Sequence, residues 1–200
     1  MSAAPLRLLG LTHSLRAGSY NRMTLDLVDE LLPATGRLQR HDLAALPFYD
    51  PDLEQAGLPA AVSQLAQAMR EADGIVIASA EYNHSIPAVI KNAIDWLSRV
   101  ADEPLDGKPV MLLSASTGLL GGARMQYDLR RVLDAVGAMP LVKPEVFIGL
   151  APQKFDAHGR CSDARTREAV RAQLGAFARF VGRCGVLQRH AIEGGVAKVA

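Results

Sequence analysis

The stretch Gly74-Ile75-Val76-Ile77-Ala78-Ser79-Ala80-Glu81-Tyr82-Asn83-His84-Ser85-Ile86-Pro87 decides the fold. It opens on a short apolar run rich in β-branched residues, the pattern of a strand covered on both faces. It then turns polar and reaches Pro87, which suits the first turn of a helix, with Ser85 before it as the expected cap. Ile90, Ala93, Ile94 and Leu97 follow at the spacing of a core-facing helix.

The same alternation extends in both directions from this unit. Pro109 to Ala115 is a second fully apolar strand, and Leu6 to Leu11, Arg37 to Asp42 and Pro144 to Ile148 give three more. Between and after them, helical stripes run through Met23, Leu27, Val28 and Leu31, through Val62, Leu65, Ala66 and Met69, through Met125, Leu129, Val132 and Val136, and through Val170, Leu174, Phe177 and Val181. Strands alternating with amphipathic helices predict an α/β domain: a parallel sheet of five strands with helices on both faces. The segment from Ala44 to Pro59, punctuated by Pro47, Pro51, Gly57 and Pro59, is expected to lack regular structure, and a second long loop is expected after Gly149. The stretch from Gly182 to residue 200 shows no periodic pattern and is expected to be a loosely held tail, leaving a core of about 6–181 in a single domain over 1–200.

Composition agrees with that outline and narrows the function. The chain has 200 residues, of which 49% are hydrophobic and 22% charged, with a mean hydropathy of +0.09; disordered, collagen-like and disulfide-scaffold classes are excluded. Its 22 Lys and Arg against 21 Asp and Glu leave a net charge of +1, so no overall field exists to hold nucleic acid or an anionic membrane. Cys161 and Cys184 have no Cys-x-x-Cys or metal-ligand neighbourhood, which predicts free thiols, no metal and a reducing, cytoplasmic setting. Met1 to Pro5 carries no leader pattern, and no apolar run approaches a membrane span.

In an open parallel sheet, ligands bind beyond the carboxyl ends of the strands. The loop after the first strand, Thr12-His13-Ser14-Leu15-Arg16-Ala17-Gly18-Ser19-Tyr20-Asn21, combines hydroxyls, a guanidinium and the start of a helix. Such a set suits a phosphate, held by free N–H groups, the positive end of the helix and a charge-assisted bond from Arg16. It equally suits a plain helix start, with Ser19 or Asn21 as N-cap and Arg16 in solvent. Neither the triphosphate loop nor the Gly-x-Gly-x-x-Gly fingerprint is present, which leaves a single terminal phosphate such as that of FMN. Glu81-Tyr82-Asn83 after the third strand is expected to offer backbone amides and an aromatic surface to a flat heterocycle. Ser114-Ala115-Ser116-Thr117-Gly118, running on to Gly121-Gly122, is expected to form a second wall that lets a planar ligand approach the backbone.

Three motifs in order, each after an expected strand, carry a resemblance. Ser14-Leu15-Arg16-x-x-Ser19-x-Asn21, then Glu81-Tyr82-Asn83-x-Ser85-x-Pro87 with Lys91-Asn92-Ala93-Ile94-Asp95-Trp96, then Ser116-Thr117-Gly118-x-x-Gly121-Gly122 resemble the NADPH-dependent FMN reductase family, in particular its chromate and quinone reductase branch. The likeness covers about Leu6 to Val181. It implies a flavodoxin-like, three-layer fold with strand order 2-1-3-4-5, FMN as cofactor, NADPH or NADH as co-substrate, and a homodimer or homotetramer. Carried over by position, Ser14, Arg16, Ser19 and Asn21 would hold the phosphate, with Tyr20 beside them. Ala80, Glu81, Tyr82 and Asn83 would run along the isoalloxazine, and Ser116, Thr117 and Gly118 would meet its other side. Departures from the family pattern are His13, Ala80 and Ala88, standing where glycine, proline and glycine are usual; they bear on the strength of FMN binding.

The implied activity is two-electron transfer from a nicotinamide to a small acceptor such as a quinone, an azo or nitro compound, free flavin or chromate. With that chemistry on the cofactor, no side chain is expected as catalytic acid or base; Tyr82, His84 and Tyr127 are placed nearest the substrate face. A flavodoxin-type electron carrier is the alternative reading, set back by the near-neutral charge. A receiver domain would need acidic residues where Thr12, His13 and Ser14 stand, and a hydrolase would need a Gly-x-Ser-x-Gly elbow or a cysteine in a phosphate loop. Trp96 is expected in the core, and Arg124 and Glu145 are expected in solvent or paired with each other across a subunit contact.

Overall fold

The computed structural model describes residues 5–12 and 18–193. Six strands and six helices follow one another along the chain: β1 (Arg7–Thr12), α1 (Tyr20–Leu31), β2 (Arg37–Asp42), α2 (Pro51–Ala56), α3 (Ala60–Glu71), β3 (Gly74–Ala78), α4 (Ala88–Leu97), β4 (Pro109–Ala115), α5 (Ala123–Ala135), β5 (Met139–Pro140), β6 (Val146–Ile148) and α6 (Ala164–Glu193). The strands are parallel in the order β2-β1-β3-β4-β5, with β6 also paired to β4. This is the order implied by the resemblance. The last strand differs: the expected Pro144 to Ile148 is two short pieces, with Met139 and Pro140 against Pro109 and Val110, and Val146 to Ile148 against Leu113 to Ala115.

Alternation within the strands builds the two apolar layers. Leu9, Leu11, Ile75, Ile77, Val110 and Leu112 face α3, α4 and α5, with Trp96 fully enclosed among them. Leu8, Val76, Ala78, Met111, Leu113 and Ala115 face α1 and α6, whose Val28, Val170 and Phe177 are equally enclosed. Every residue of β3 and β4 is buried, as their uninterrupted apolar runs require.

Three expectations about irregular segments are corrected. Within the segment 44–59, α2 forms because Pro51 occupies the first helical turn and the Asp50 side chain accepts from Asp52 N–H at 2.9 Å; the same proline had suggested a break. The expected tail is helical as far as Glu193, because α6 continues through Gly182 and Gly185, whose cost to the helix is small once its first turns are packed against β4 and β6. Ser85 does not cap α4: that helix starts at Ala88 with Pro87 as its N-cap, and Ser85 Oγ donates instead to Asp128 at 2.8 Å.

Candidate active site

The chain reverses direction across the sheet between β1 and β3, and the loops leaving β1, β3 and β4 rise on the same rim. They enclose a cleft of ≈ 230 Å³ lined by Ser19, Tyr20 and Asn21, by Ala80, Glu81 and Tyr82, and by Ala115, Ser116 and Thr117. Eight of those nine are residues expected at the flavin by position, and the ninth, Ala115, lies in the 114–118 stretch expected as a wall. Ser14 and Arg16, with His13, lie outside the described residues.

Each wall is held by a different device. On the first, Ser19 is the N-cap of α1, its hydroxyl accepting from Arg22 N–H at 3.3 Å, which leaves the positive end of a twelve-residue helix at the cleft. Asn21 is buried and spends its side-chain amide on the Ala115 backbone, donating to the carbonyl at 3.0 Å and accepting from the N–H at 2.8 Å. Tyr20 packs its ring against Phe155, with centroids 5.8 Å apart.

On the second wall, Tyr82 and Ser85 exchange both backbone hydrogen bonds, closing a two-residue turn. Asn83 and His84 therefore carry φ of +49° and +67°, a left-handed pair of the kind such a turn demands. Beneath it, the Glu81 carboxylate accepts from Arg124 Nε at 2.9 Å and from Met125 N–H at 3.2 Å, so it caps α5 and ties the loop to that helix. Within the chain Arg124 is thus bonded to Glu81, and Glu145 takes Arg130 at 3.4 Å and the Tyr127 hydroxyl at 3.3 Å.

The third wall is held by close packing at two of its glycines. A Cβ on Gly121 would stand 2.6 Å from Gly149 N, and one on Gly122 would stand 2.7 Å from Ser114 Cβ. Both take a left-handed φ, of +59° and +86°, and a side chain on either would clash with its protein neighbours. Only Gly118 is open, with nothing nearer its Cβ position than Ser116 Oγ at 3.8 Å. The loop is laced to the exit of β6 by Leu150 N–H to Gly118 O and Ala151 N–H to Ser116 O, both at 3.0 Å.

Asn83, Gly118, His84 and Tyr127 stand outside the lining. His84 is exposed at the tip of the turn, and Tyr127 is half exposed on α5. Trp96 is fully buried, donating its indole N–H to Pro47 O at 2.8 Å. Among the described residues no cluster of His, Cys, Asp and Glu is arranged to hold a metal, and no helix is long and apolar enough to cross a membrane.

What the rim leaves unspent indicates its ligand. Thr12 Oγ1, at the carboxyl end of β1, is buried with no hydrogen-bond partner among the described residues. The N–H groups of Thr117 and Gly118 likewise meet no protein acceptor among those residues. A buried hydroxyl without a partner is costly, and the N–H groups of Thr117 and Gly118 are exposed on the rim and open to an acceptor, so a polar ligand is the natural complement. A wall of small residues (Ala115, Ser116, Thr117) with open N–H groups, a second offering the Tyr82 ring and a third ending in the N-terminus of α1 fit a planar ring that carries amide-like edges and a phosphate.

The family model for NADPH-dependent FMN reductase matches residues 6–153, which include all three motif loops. The chain belongs to the NADPH-dependent FMN reductase family. Among its relatives, an NAD(P)H-dependent FMN reductase of Pseudomonas aeruginosa is 42% identical over 178 residues, covering 89% of this chain and 96% of the relative. A quinone reductase of Escherichia coli K12 is 43% identical over 181 residues, with the same two coverages of 89% and 96%. Among solved structures, the FerB flavoenzyme NAD(P)H:(acceptor) oxidoreductase of Paracoccus denitrificans superposes with a TM-score of 0.82 at 28% identity, covering 89% of this chain and 98% of that one.

Proposed function

We propose that the protein is an FMN-dependent NAD(P)H oxidoreductase that passes two electrons from a nicotinamide to a small acceptor, with a quinone as the first candidate. The observation that carries this reading is the meeting of the three family motifs around one cleft that still has unpartnered donors. The chemistry such a flavin supplies is two-electron transfer between a reduced nicotinamide and an acceptor.

The chain's own part is to bind and orient. The N-terminus of α1, with Ser19, Ser14 and Arg16, would take the phosphate. The loop of Ala80, Glu81, Tyr82 and Asn83 would lie along one side of the ring, kept in place by the bonds of Glu81 to Arg124 and Met125. Ser116, Thr117 and Gly118 would supply N–H groups to the other. Tyr82, with more than half its surface exposed, would flank the side from which nicotinamide and acceptor enter in turn, with His84 and Tyr127 farther out. No acid or base is called for. A homodimer or homotetramer, as the resemblance implies, and a cytoplasmic setting, in keeping with the two unpaired thiols, complete the proposal.

The test is an anaerobic titration of the FMN-loaded protein with NADPH and, in parallel, NADH. Loss of the visible flavin band at one equivalent, and its return on adding a quinone, is the expected result. A band that neither nicotinamide bleaches would assign the protein to the electron carriers instead.

A further inference from the structure

Asn21 makes a connection that its motif does not explain. It lies in the first turn of α1 with 3% of its surface exposed, and both ends of its side-chain amide are bound to the backbone of one residue 94 positions away, Ala115. The reason lies in the lengths of the strands. β4 runs to Ala115, whereas β3 ends at Ala78. Leu113 still accepts from Ser79 N–H at 3.0 Å on the β3 side, and Ser116 turns its N–H to Ile148 O on the β6 side. Because hydrogen-bonding groups alternate along a strand, the N–H and C=O of Ala115 face the β3 side, beyond the point where β3 stops.

Two buried peptide groups with no strand to meet them would be costly. A carboxamide carries the same donor and acceptor as a peptide, and Asn21 supplies the rung that β3 does not. One side chain thereby spans two walls of the cleft: the start of α1, which lines it through Ser19 and Tyr20, and the exit of β4, which lines it through Ala115, Ser116 and Thr117.

We propose that Asn21 is a positioning residue rather than a phosphate ligand: its carboxamide completes the sheet at Ala115 and so fixes the spacing between the phosphate-gripping wall and the wall along the flavin ring. The proposal rests on the flavin reading above. A phosphate ligand matters only to flavins that have a phosphate, whereas the spacing of the ring wall matters to all of them.

The experiment compares FMN with riboflavin, which lacks the phosphate, by fluorescence titration of the wild-type protein, Asn21→Ala and the isosteric Asn21→Asp, with thermal unfolding recorded for each. Loss of the Asn21 bonds is expected to weaken FMN and riboflavin by the same factor, about tenfold for one to two buried hydrogen bonds. In Asn21→Asp the affinity for riboflavin should recover as the pH is lowered, because a neutral carboxylic acid again offers one donor and one acceptor to Ala115. Riboflavin has no phosphate for a carboxylate to repel, so that recovery would come from the rung alone. A loss confined to FMN, or riboflavin binding by Asn21→Asp that does not improve toward acid pH, would overturn the proposal. A wild-type protein that binds neither flavin would instead bring down the reading it rests on.

Discussion

The two rims of this sheet are built from the same strands and differ in what they leave unbonded. At the amino rim, Arg7 holds Asp73 through its backbone N–H at 2.8 Å and its guanidinium at 3.0 Å, and Lys108 Nζ donates to Ala72 O at 2.8 Å. Burial pushes the Lys108 ammonium below the ordinary lysine range, with Asp73 working against it. For Asp73 burial acts upward, but the bonds from Arg7 outweigh it and hold the carboxyl below its usual value. A cavity of ≈ 370 Å³ lies on this rim, larger than the ≈ 230 Å³ cleft opposite. Arg7, which lines it, has its charge answered by the neighbouring Asp73. At the carboxyl rim, Thr12, Thr117 and Gly118 keep polar groups without protein partners among the described residues. The binding proposed at the carboxyl rim therefore rests on unspent hydrogen-bonding capacity beside a helix N-terminus, not on the size of the hollow.

If that division is real, substitutions on the closed side should cost folding and spare flavin binding, and those on the open side should do the reverse. The largest effect is expected from Phe177→Ala: Phe177 is fully buried, and its ring lies against the start of β3 at Gly74. The truncation should cost about 3–5 kcal/mol in denaturant unfolding, while the folded fraction binds FMN with wild-type affinity. Arg16→Ala should leave unfolding nearly unchanged and weaken FMN by about 1.5–3 kcal/mol, the worth of a charge-assisted bond, with riboflavin unaffected.

Gly149→Ala sharpens the comparison further. The added Cβ would stand 2.1 Å from the Leu119 carbonyl oxygen, a backbone atom, so the 117–120 turn must shift. A stability loss of about 1–3 kcal/mol from overpacking should come with a flavin affinity reduced by more than that loss predicts, read by titration at a denaturant-free baseline. The smallest effect belongs to Asp163→Ala, remote from both rims. Asp163 accepts from the Thr166 hydroxyl at 2.6 Å and from its N–H at 2.8 Å at the start of α6. The side-chain bond from Thr166, followed by the backbone one, lowers its pKa. A carboxyl lowered on folding contributes stability that is present at neutral pH and lost as the pH falls through its folded value, below about 4. The variant should therefore be about 1 kcal/mol less stable at pH 7 and converge on wild type in acid.

The parts of the fold legible in the sequence are those where burial is uniform. β3 and β4 are covered on both faces and read as apolar runs; the stripes of α1, α3, α4 and the first half of α6 read as periodic because one face of each meets the sheet. α2 was illegible because Pro51 and Gly57 punctuate its ends, and the same residues break a chain or begin and finish a helix depending on a cap such as Asp50. The split of the last strand is set by bonds across the chain: Gln126 donates to Val146 O at 2.9 Å and Gln173 to Pro144 O at 3.0 Å, from helices on opposite faces. At the site, local motifs brought out the lining residues, since the rule of the carboxyl ends depends only on strand order. What each side chain does there was hidden. Asn21 meets Ala115, Glu81 meets Arg124, and Gly121 meets Gly149, all pairings between segments far apart in sequence.

Hydrogen–deuterium exchange of backbone amides with and without saturating FMN tests the contrast between the rims most directly. Slowed exchange confined to residues 18–21, 80–85 and 115–122, with the amides of the amino rim around Arg7, Asp73 and Lys108 unchanged, is the predicted result. Protection centred on that opposite rim, or none anywhere at saturating flavin, would contradict it.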